Sequence, residues 1–323
     1  MSTHRTEVYK VEEIFEHPNA DRLEIIKLDN YTVCVGKGEF KAGDLVVHIP
    51  PDSVVDLNNP LFSFLKKSHI KTSKLRGIVS DGIVVKAPKG SKIGDNVMDL
   101  LNITEYVPSE EKRISLGGAG ESPPDLRIPV YDIENLKRHP HIISGHTMVQ
   151  YSEKIHGTSF RTVCHKGKTY VGSRKTWFKL EECNNVYIRA YKKYPQLKAF
   201  CEENENYVLY GEVYGSVQKL KYGHKQGEIS LALFDIFYNI GYMNKSNQME
   251  LAHGYNLPWV PIIAVDLFNY DRAIGFSQGK SLVPGANHIR EGCVITPMKE
   301  QYHSHLGRIQ LKCVSDEYLL GKH

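Results

Sequence analysis

Short alternations of apolar and polar residues fill the first hundred positions of the chain. Leu23–Leu28 and Tyr31–Val35 flank the turn-prone pair Asp29-Asn30, and this spacing predicts a hairpin. Further strands are predicted at Leu45–Ile49, Gly77–Val79 and Gly82–Lys86. Lys41-Ala42-Gly43-Asp44 and Lys92-Ile93-Gly94-Asp95 read as matching turn-then-strand units. Short strands at this spacing, with few helical stretches, predict a small barrel over residues 1–105. From Pro108 to Pro129 the periodicity gives way to Ser, Glu, Gly and Pro, which predicts a linker over residues 106–128. Residues 129–323 then mix strand-like runs at Thr169–Gly172, Tyr207–Tyr214, Ile229–Phe237, Gly292–Thr296 and Ile309–Val314 with helical patterns. The clearest helix is Leu180–Cys201, where Val186, Ala190, Leu197 and Cys201 share a face; a second is expected at Gln248–His253, ending at Gly254. The class expected is α+β, a barrel followed by antiparallel sheets with flanking helices. There is no internal repeat.

Composition agrees with two globular domains: 323 residues, 41% hydrophobic and 24% charged. No apolar run approaches the roughly 18 residues of a membrane helix, and Met1–Lys10 has no apolar core of a secretory signal. Cys34, Cys164, Cys183, Cys201, Cys293 and Cys313 stand singly, which argues against a disulfide framework or a cysteine zinc site. The expectation is a soluble intracellular, cytoplasmic protein with no membrane partner, acting as a monomer. Charge divides unevenly. Residues 1–125 hold 16 basic and 19 acidic side chains, which leaves 25 of the 41 basic and 18 of the 37 acidic ones for the rest. The second part therefore carries the positive field that a polyanion would feel.

The candidate chemistry begins at Glu153-Lys154-Ile155-His156-Gly157-Thr158-Ser159. A lysine followed by small, turn-forming residues sets an amine at a strand end where backbone can approach a phosphate. With an ordinary pKa of about 10.4, such a lysine needs burial, a neighbouring cation or a metal before it can act as a nucleophile. Downstream come Gly172-Ser173-Arg174, Tyr210-Gly211-Glu212-Val213-Tyr214-Gly215, Phe234-Asp235, Glu291-Gly292-Cys293-Val294 and Leu311-Lys312.

In this order and spacing the segments resemble motifs I, Ia, III, IIIa, IV and V of the covalent nucleotidyltransferases, which include DNA ligases, RNA ligases and mRNA capping enzymes. Val11–Glu24 and Leu75–Gly82 are similar to the tRNA-binding OB barrels of phenylalanyl-tRNA synthetase β chains. A barrel placed before the catalytic domain, with the KIHGTS form of motif I and the ending Val314-Ser315-Asp316-Glu317-Tyr318-Leu319, resembles the Deinococcus/Naegleria-type RNA ligases. The resemblance implies an ATP-dependent ligase using magnesium or manganese. Lys154 would take AMP from ATP, and the AMP would pass to a 5′-phosphate end that a 3′-hydroxyl then attacks. The implied partner is RNA or a nicked duplex with RNA on the 3′-OH side. Lys312 would neutralise the α-phosphate and lower the pKa of Lys154; Glu212 and Glu291 would serve the metal and sugar. Arg174, Phe234, Ile155, Gly157 and Glu134 would contact nucleotide, with Asp132 beside Glu134. The family usually carries a lysine at the place of Gln310, and Arg308 stands as a compensating cation.

Other readings stay open. A capping-type guanylyltransferase or a DNA ligase usually places the OB fold after the catalytic domain, and eleven residues follow Lys312. A non-catalytic nucleic-acid-binding protein would not need Lys154, Glu212, Glu291 and Lys312 together. His139-Pro140-His141 and His303-Ser304-His305 have metal-like spacing but lack further ligands, so loop histidines are expected. Lys66, Lys67, Lys71, Lys74 and Arg76 form a basic cluster that either follows a nucleic-acid backbone or is simply solvated.

Overall fold

The computed structural model describes residues 4–106, 120–182, 184–304 and 306–321. Two compact units emerge, one spanning Met1–Ser109 with Leu319–Gly321 and the other spanning Glu110–Tyr318. In the first unit, β1 (Glu7–Lys10), β5 (Leu45–Ile49) and β6 (Ile83–Lys86) form one antiparallel sheet. A second sheet holds β2 (Glu13–Glu16), β3 (Leu23–Leu28) and β4 (Tyr31–Gly36). The predicted hairpin is β3–β4, and Asp29 takes φ 52° to close its turn, a conformation Asp tolerates better than most residues. Ile26, Leu28 and Val33 of one sheet share a core with Val46 and Val84 of the other, as period-2 burial on two facing sheets requires. Lys66, Lys67, Lys71, Lys74 and Arg76 all lie exposed on this unit.

The second unit holds two larger sheets. Its five-stranded sheet runs Glu134–Asn135, β15 (Leu311–Val314), β14 (Gly292–Pro297), β7 (Met148–Lys154), β13 (Ile262–Leu267), antiparallel except at the first pair. Val149, Tyr151, Ile295 and Leu311 bury one face of it with Ala273 of helix α4 (Tyr270–Ser277). The seven-stranded antiparallel sheet runs Gly120–Glu121, β10 (Trp177–Phe178), β9 (Lys168–Ser173), β8 (Thr158–His165), β11 (Tyr207–Gly215), β12 (Ile229–Tyr238), Gly241–Tyr242. One face packs on helices α1 (Val186–Lys193) and α2 (Pro195–Glu203) through Phe160, Ile188, Leu197 and Phe200. The other face carries Val163, Trp177, Tyr210 and Phe237.

Three local expectations differ from what forms. The single helix over Leu180–Cys201 is two helices, because Pro195 cannot donate the backbone hydrogen bond that would continue α1 and instead begins α2. Helix α3 (Lys245–Gly254) starts three residues earlier than expected, at a lysine whose ammonium is buried. Part of the predicted linker belongs to the folded unit: Gly120–Glu121 pairs with Trp177–Phe178, and Leu126 and Ile128 pack on the sheet core. Of the remainder, residues 107–119 lie outside the described residues, as do Cys183 and His305.

Candidate active site

The lysine-containing segment crosses from one sheet of the second unit to the other. Lys154 ends β7 in the five-stranded sheet, and Thr158 begins β8 in the seven-stranded sheet. The turn between them is held by the His156 backbone N–H, which donates to the Tyr222 hydroxyl at 2.7 Å. It also needs a residue without Cβ at Gly157, where that carbon would lie 2.1 Å from the Val213 carbonyl oxygen and 3.0 Å from Glu212 Cγ. Register then collects the charged groups. Lys154 stands opposite Gly292, next to Glu291; Lys312 stands opposite Val294; and Glu212 stands opposite Ser159 on β11. Gly292 permits an equally close approach, since a Cβ there would meet the Cys313 carbonyl oxygen at 2.1 Å.

These strands wall a cavity of about 230 Å³ that takes in Lys154, Ile155, Glu212, Phe234, Gln310 and Lys312, with Arg174 on its rim. Lys154 Nζ donates to Glu291 Oε1 at 2.8 Å, with the lysine side chain 22% and the glutamate 11% exposed. Arg174 is held by Asp132 at 2.6 Å. Gly157 shapes the turn and is not part of the lining. Glu134 lies off the cavity as well: it pairs at 3.9 Å with Arg138 and His139, and Asp132 is the carboxylate that lines the wall.

Electrostatics here differ from the like-charge scheme expected from sequence. Burial disfavours the charged form of Lys154, but the Glu291 and Glu212 carboxylates outweigh it, and its pKa sits above the ordinary lysine value. The repulsion falls on Lys312 instead, whose pKa is lowered first by burial and then by Lys154. The physical reason is proximity: Lys154 touches an anion, whereas no ion pair of Lys312 forms among the described residues. Burial is also the main force on Glu212, pushing its carboxyl up to about 8 against the pull of Lys154. Burial raises Glu291 too, yet Lys154 and His156 overcome it and leave that carboxyl below its usual range.

Gln310 has a different setting from the one a phosphate-facing lysine would need. Its Nε2 donates to Thr296 Oγ1 at 3.0 Å, and its Oε1 accepts from Arg308 at 3.3 Å and stands 2.6 Å from the Tyr131 hydroxyl. Arg308 does not supply the missing charge to the cavity. It forks onto Glu300 at 2.7 and 2.8 Å and reaches Asp235 at 2.6 Å. The additional cation on the cavity wall is Lys245, which donates to Asp235 Oδ1 at 3.0 Å, the Phe234 carbonyl at 2.9 Å and Gln248 at 3.1 Å. Asp235, fully buried, is thus the anchor of Lys245, Arg308 and Tyr131. Sequence reasoning named Asp235 only as part of a motif and missed Tyr131 and Lys245. Both reach the cavity through long-range packing, and neither has a local spacing signal.

For a divalent ion the fitting donors are Glu291 and Glu212. Glu291 Oε2 is buried without a hydrogen bond, 3.5 Å from His156 Nδ1, and no cluster of three His, Cys, Asp or Glu stands ready among the described residues. Two carboxylates suit an ion that takes its remaining oxygens from water and phosphate. No helix among the described residues is long and apolar enough to cross a membrane.

Comparison with known proteins agrees with this arrangement. Residues 6–87 match a model of an OB-fold domain. No curated protein matches the chain by sequence. Among solved structures, a mutant of Naegleria gruberi RNA ligase with AMP and Mn is 24% identical, covers 99% of both chains and superposes at a TM-score of 0.82. An apo mutant of an RNA ligase from the same organism is 23% identical, covers 100% of this chain and 99% of its own, at 0.81. Another mutant, with ATP and Mn, is 23% identical over 98% of both chains at 0.80. At such identity these likenesses show the fold: an N-terminal OB domain and a ligase-type nucleotidyltransferase domain. The RNA ligase model, in turn, matches residues 147–314, which is more than half of the 323 residues and spans Lys154 through Lys312. The chain belongs to the RNA ligase family.

Proposed function

We propose that this protein is an ATP-dependent RNA ligase that seals 3′-OH/5′-phosphate breaks through a lysyl–AMP intermediate on Lys154, with a duplex nick bearing RNA on the 3′-OH side as its preferred substrate. The observation that carries the reading is the meeting of Lys154, Glu212 and Lys312 around one cavity with an aromatic wall at Phe234, with Glu291 held behind the lining on the Lys154 ammonium. The solved Naegleria gruberi ligases with ATP, AMP and Mn support the choice of nucleotide and metal. Residues 1–105 act as the nucleic-acid-binding domain, residues 106–128 as the connection and residues 129–323 as the adenylyltransferase.

Lys154 Nζ attacks the α-phosphorus of ATP; the N–P bond forms as the bond to pyrophosphate breaks, and the amine must have lost its proton first. In the free protein Glu291 holds that proton in place. Glu291 and Glu212 are the side chains that would hold the divalent ion, whose charge neutralises phosphate oxygens and competes for the carboxylates. A cation held by Glu291 would take from Lys154 the anion that most stabilises its charge. Lys312 is partly buried, and it offers its charge to the α-phosphate where negative charge develops. Phe234 and Tyr131 give the adenine an aromatic surface, their rings 4.9 Å apart. Arg174, on the exposed rim, is available to ribose or phosphate. The adenylate then moves to the 5′-phosphate, and a 3′-hydroxyl displaces AMP. A contact to the neighbouring 2′-hydroxyl is the physical means of preferring RNA on that strand.

The test uses ATP or GTP labelled on the α-phosphate, magnesium or manganese, and a denaturing gel. The reading expects label from ATP alone and none in Lys154→Ala. Label from GTP would point to a capping-type reaction, and none with either metal would leave a binding protein. Nicks with one ribonucleotide or one deoxyribonucleotide at the 3′-OH end test strand preference, and equal sealing rates would remove that claim.

A further inference from the structure

Away from the nucleotide cavity, the second unit buries an arginine that has no anionic partner among the described residues. Arg161 sits on β8, opposite Tyr210 of β11, on the sheet face that carries Val163 and Trp177. It is 5% exposed, its guanidinium lies 4.0 Å over the Trp177 ring, and its Nε is buried with no hydrogen-bond partner. Other buried arginines of this unit are satisfied: Arg308 by Asp235 and Glu300, and Arg290 by the carbonyls of Lys280 and Phe276. A cation–π contact compensates only part of the desolvation of a guanidinium with five donors. No further described residue completes its setting.

Arg161 lines a groove of about 350 Å³. Lys175 and Thr176 stand beside it, and Pro123, Pro124 and Leu126 form the apolar wall. The one carboxylate on the lining, Glu121, is already paired with Lys168 at 2.9 Å, whereas Lys175 is exposed and makes no ion pair among the described residues. The groove is therefore cationic on one side and apolar on the other. We infer that it is a second phosphate-binding site, in which the Arg161 fork and Lys175 hold phosphate oxygens and the Pro123–Leu126 wall receives the attached sugar or base. The fork geometry matches two oxygens of one phosphate. This site shares no lining residue with the Lys154 cavity. The phosphate belongs either to the polynucleotide backbone, which rests on the ligase reading, or to free inorganic phosphate or pyrophosphate, which does not.

The experiment compares the full chain with Arg161→Met, which removes the charge but keeps an elongated apolar side chain, and with Lys175→Ala, an exposed change that leaves the fold alone. Thermal melts are titrated with inorganic phosphate and pyrophosphate at constant ionic strength. Binding of a nicked RNA duplex is measured across salt concentrations. If the source is free phosphate, the wild-type melting temperature rises with phosphate and the rise is lost in Arg161→Met. If the source is the polynucleotide, Arg161→Met weakens duplex binding about tenfold and lowers the salt slope by about 0.9, the share of one phosphate contact. Lys175→Ala shifts the same readout in the same direction, by less. Equal phosphate response and equal salt slope in wild type and both variants would overturn the inference. If Arg161→Met does not fold, Lys175→Ala decides alone, with an unchanged response counting against the site. Adenylate labelling of Lys154 is followed in parallel, so that failure of the ligase reading is recorded separately from failure of the groove.

Discussion

Replacing Asp235 by asparagine keeps the shape of the side chain and removes one charge from the centre of the second unit. Asp235 is 0% and Lys245 1% exposed, with 3.0 Å between their charged atoms, and Arg308 lies 2.6 Å from the other carboxylate oxygen. At an effective dielectric constant of about 20, one such pair attracts by about 5 kcal/mol. Losing one member of a buried pair has a net cost of about 3–5 kcal/mol, because the remaining charge stays desolvated. For a unit of this size that corresponds to a fall in melting temperature of about 6–20 °C. Burial alone would raise the Asp235 carboxyl, but Arg308 and Lys245 outweigh it and hold it well below the usual carboxylate range. The sign follows: a depressed folded pKa contributes stability above the unfolded value of about 3.9, and that contribution is lost as the pH falls toward the folded one. Melting followed by circular dichroism should show a full gap between wild type and Asp235→Asn at pH 7, shrinking as the pH drops below about 4. Adding Lys245→Met to the variant should recover part of the loss. A variant melting within about 2 °C of wild type at pH 7 would refute the buried-hub reasoning.

Three further outcomes are expected. Gly157→Ala should cut adenylate labelling by at least about tenfold, because its Cβ has to displace the Val213 carbonyl on the strand that carries Glu212; unchanged labelling in a folded variant contradicts this. Gln310→Lys should destabilise the fold by about 1–3 kcal/mol without improving labelling. It removes the acceptor beside Tyr131 and Arg308 and adds a cation near Arg308 and Lys245; higher stability in a denaturant melt would count against that environment. Single-turnover labelling should rise with pH between about 6 and 9, since Lys154 sits above the ordinary lysine value and must lose a proton to react. A flat rate across that range would show that proton loss from the amine does not limit the step.

Much of this was legible because short segments each fix a strand end. Lys154 and Lys312 reach one cavity, and Glu291 reaches Lys154, through strand register; the Lys154–Gly292 and Val294–Lys312 pairings together join lysines over a hundred residues apart. The hairpin around Asp29-Asn30 was readable for a similar reason, since turn chemistry is local. What escaped was set by tertiary packing. Tyr131 precedes the lysine segment and Lys245 begins a helix, and only Asp235 brings them to the same wall. Glu134 looked equivalent to Asp132 in sequence, but two residues along an extended segment give different surroundings, and the ionic partners of Glu134 include Arg138 and His139. The pKa of Lys154 also escaped, because it depends on an ion pair that spacing alone cannot reveal.

The most direct test of the central claim is to locate the nucleotide. The protein is incubated with ATP and magnesium, digested under conditions that preserve phosphoramidates, and its peptides are sequenced by mass spectrometry. The account predicts AMP on the Nζ of Lys154 and on no other residue, released as pyrophosphate is added back. An adduct mapped to a different side chain, or no adduct on Lys154 in protein that seals strands when these are then added without further ATP, would contradict it.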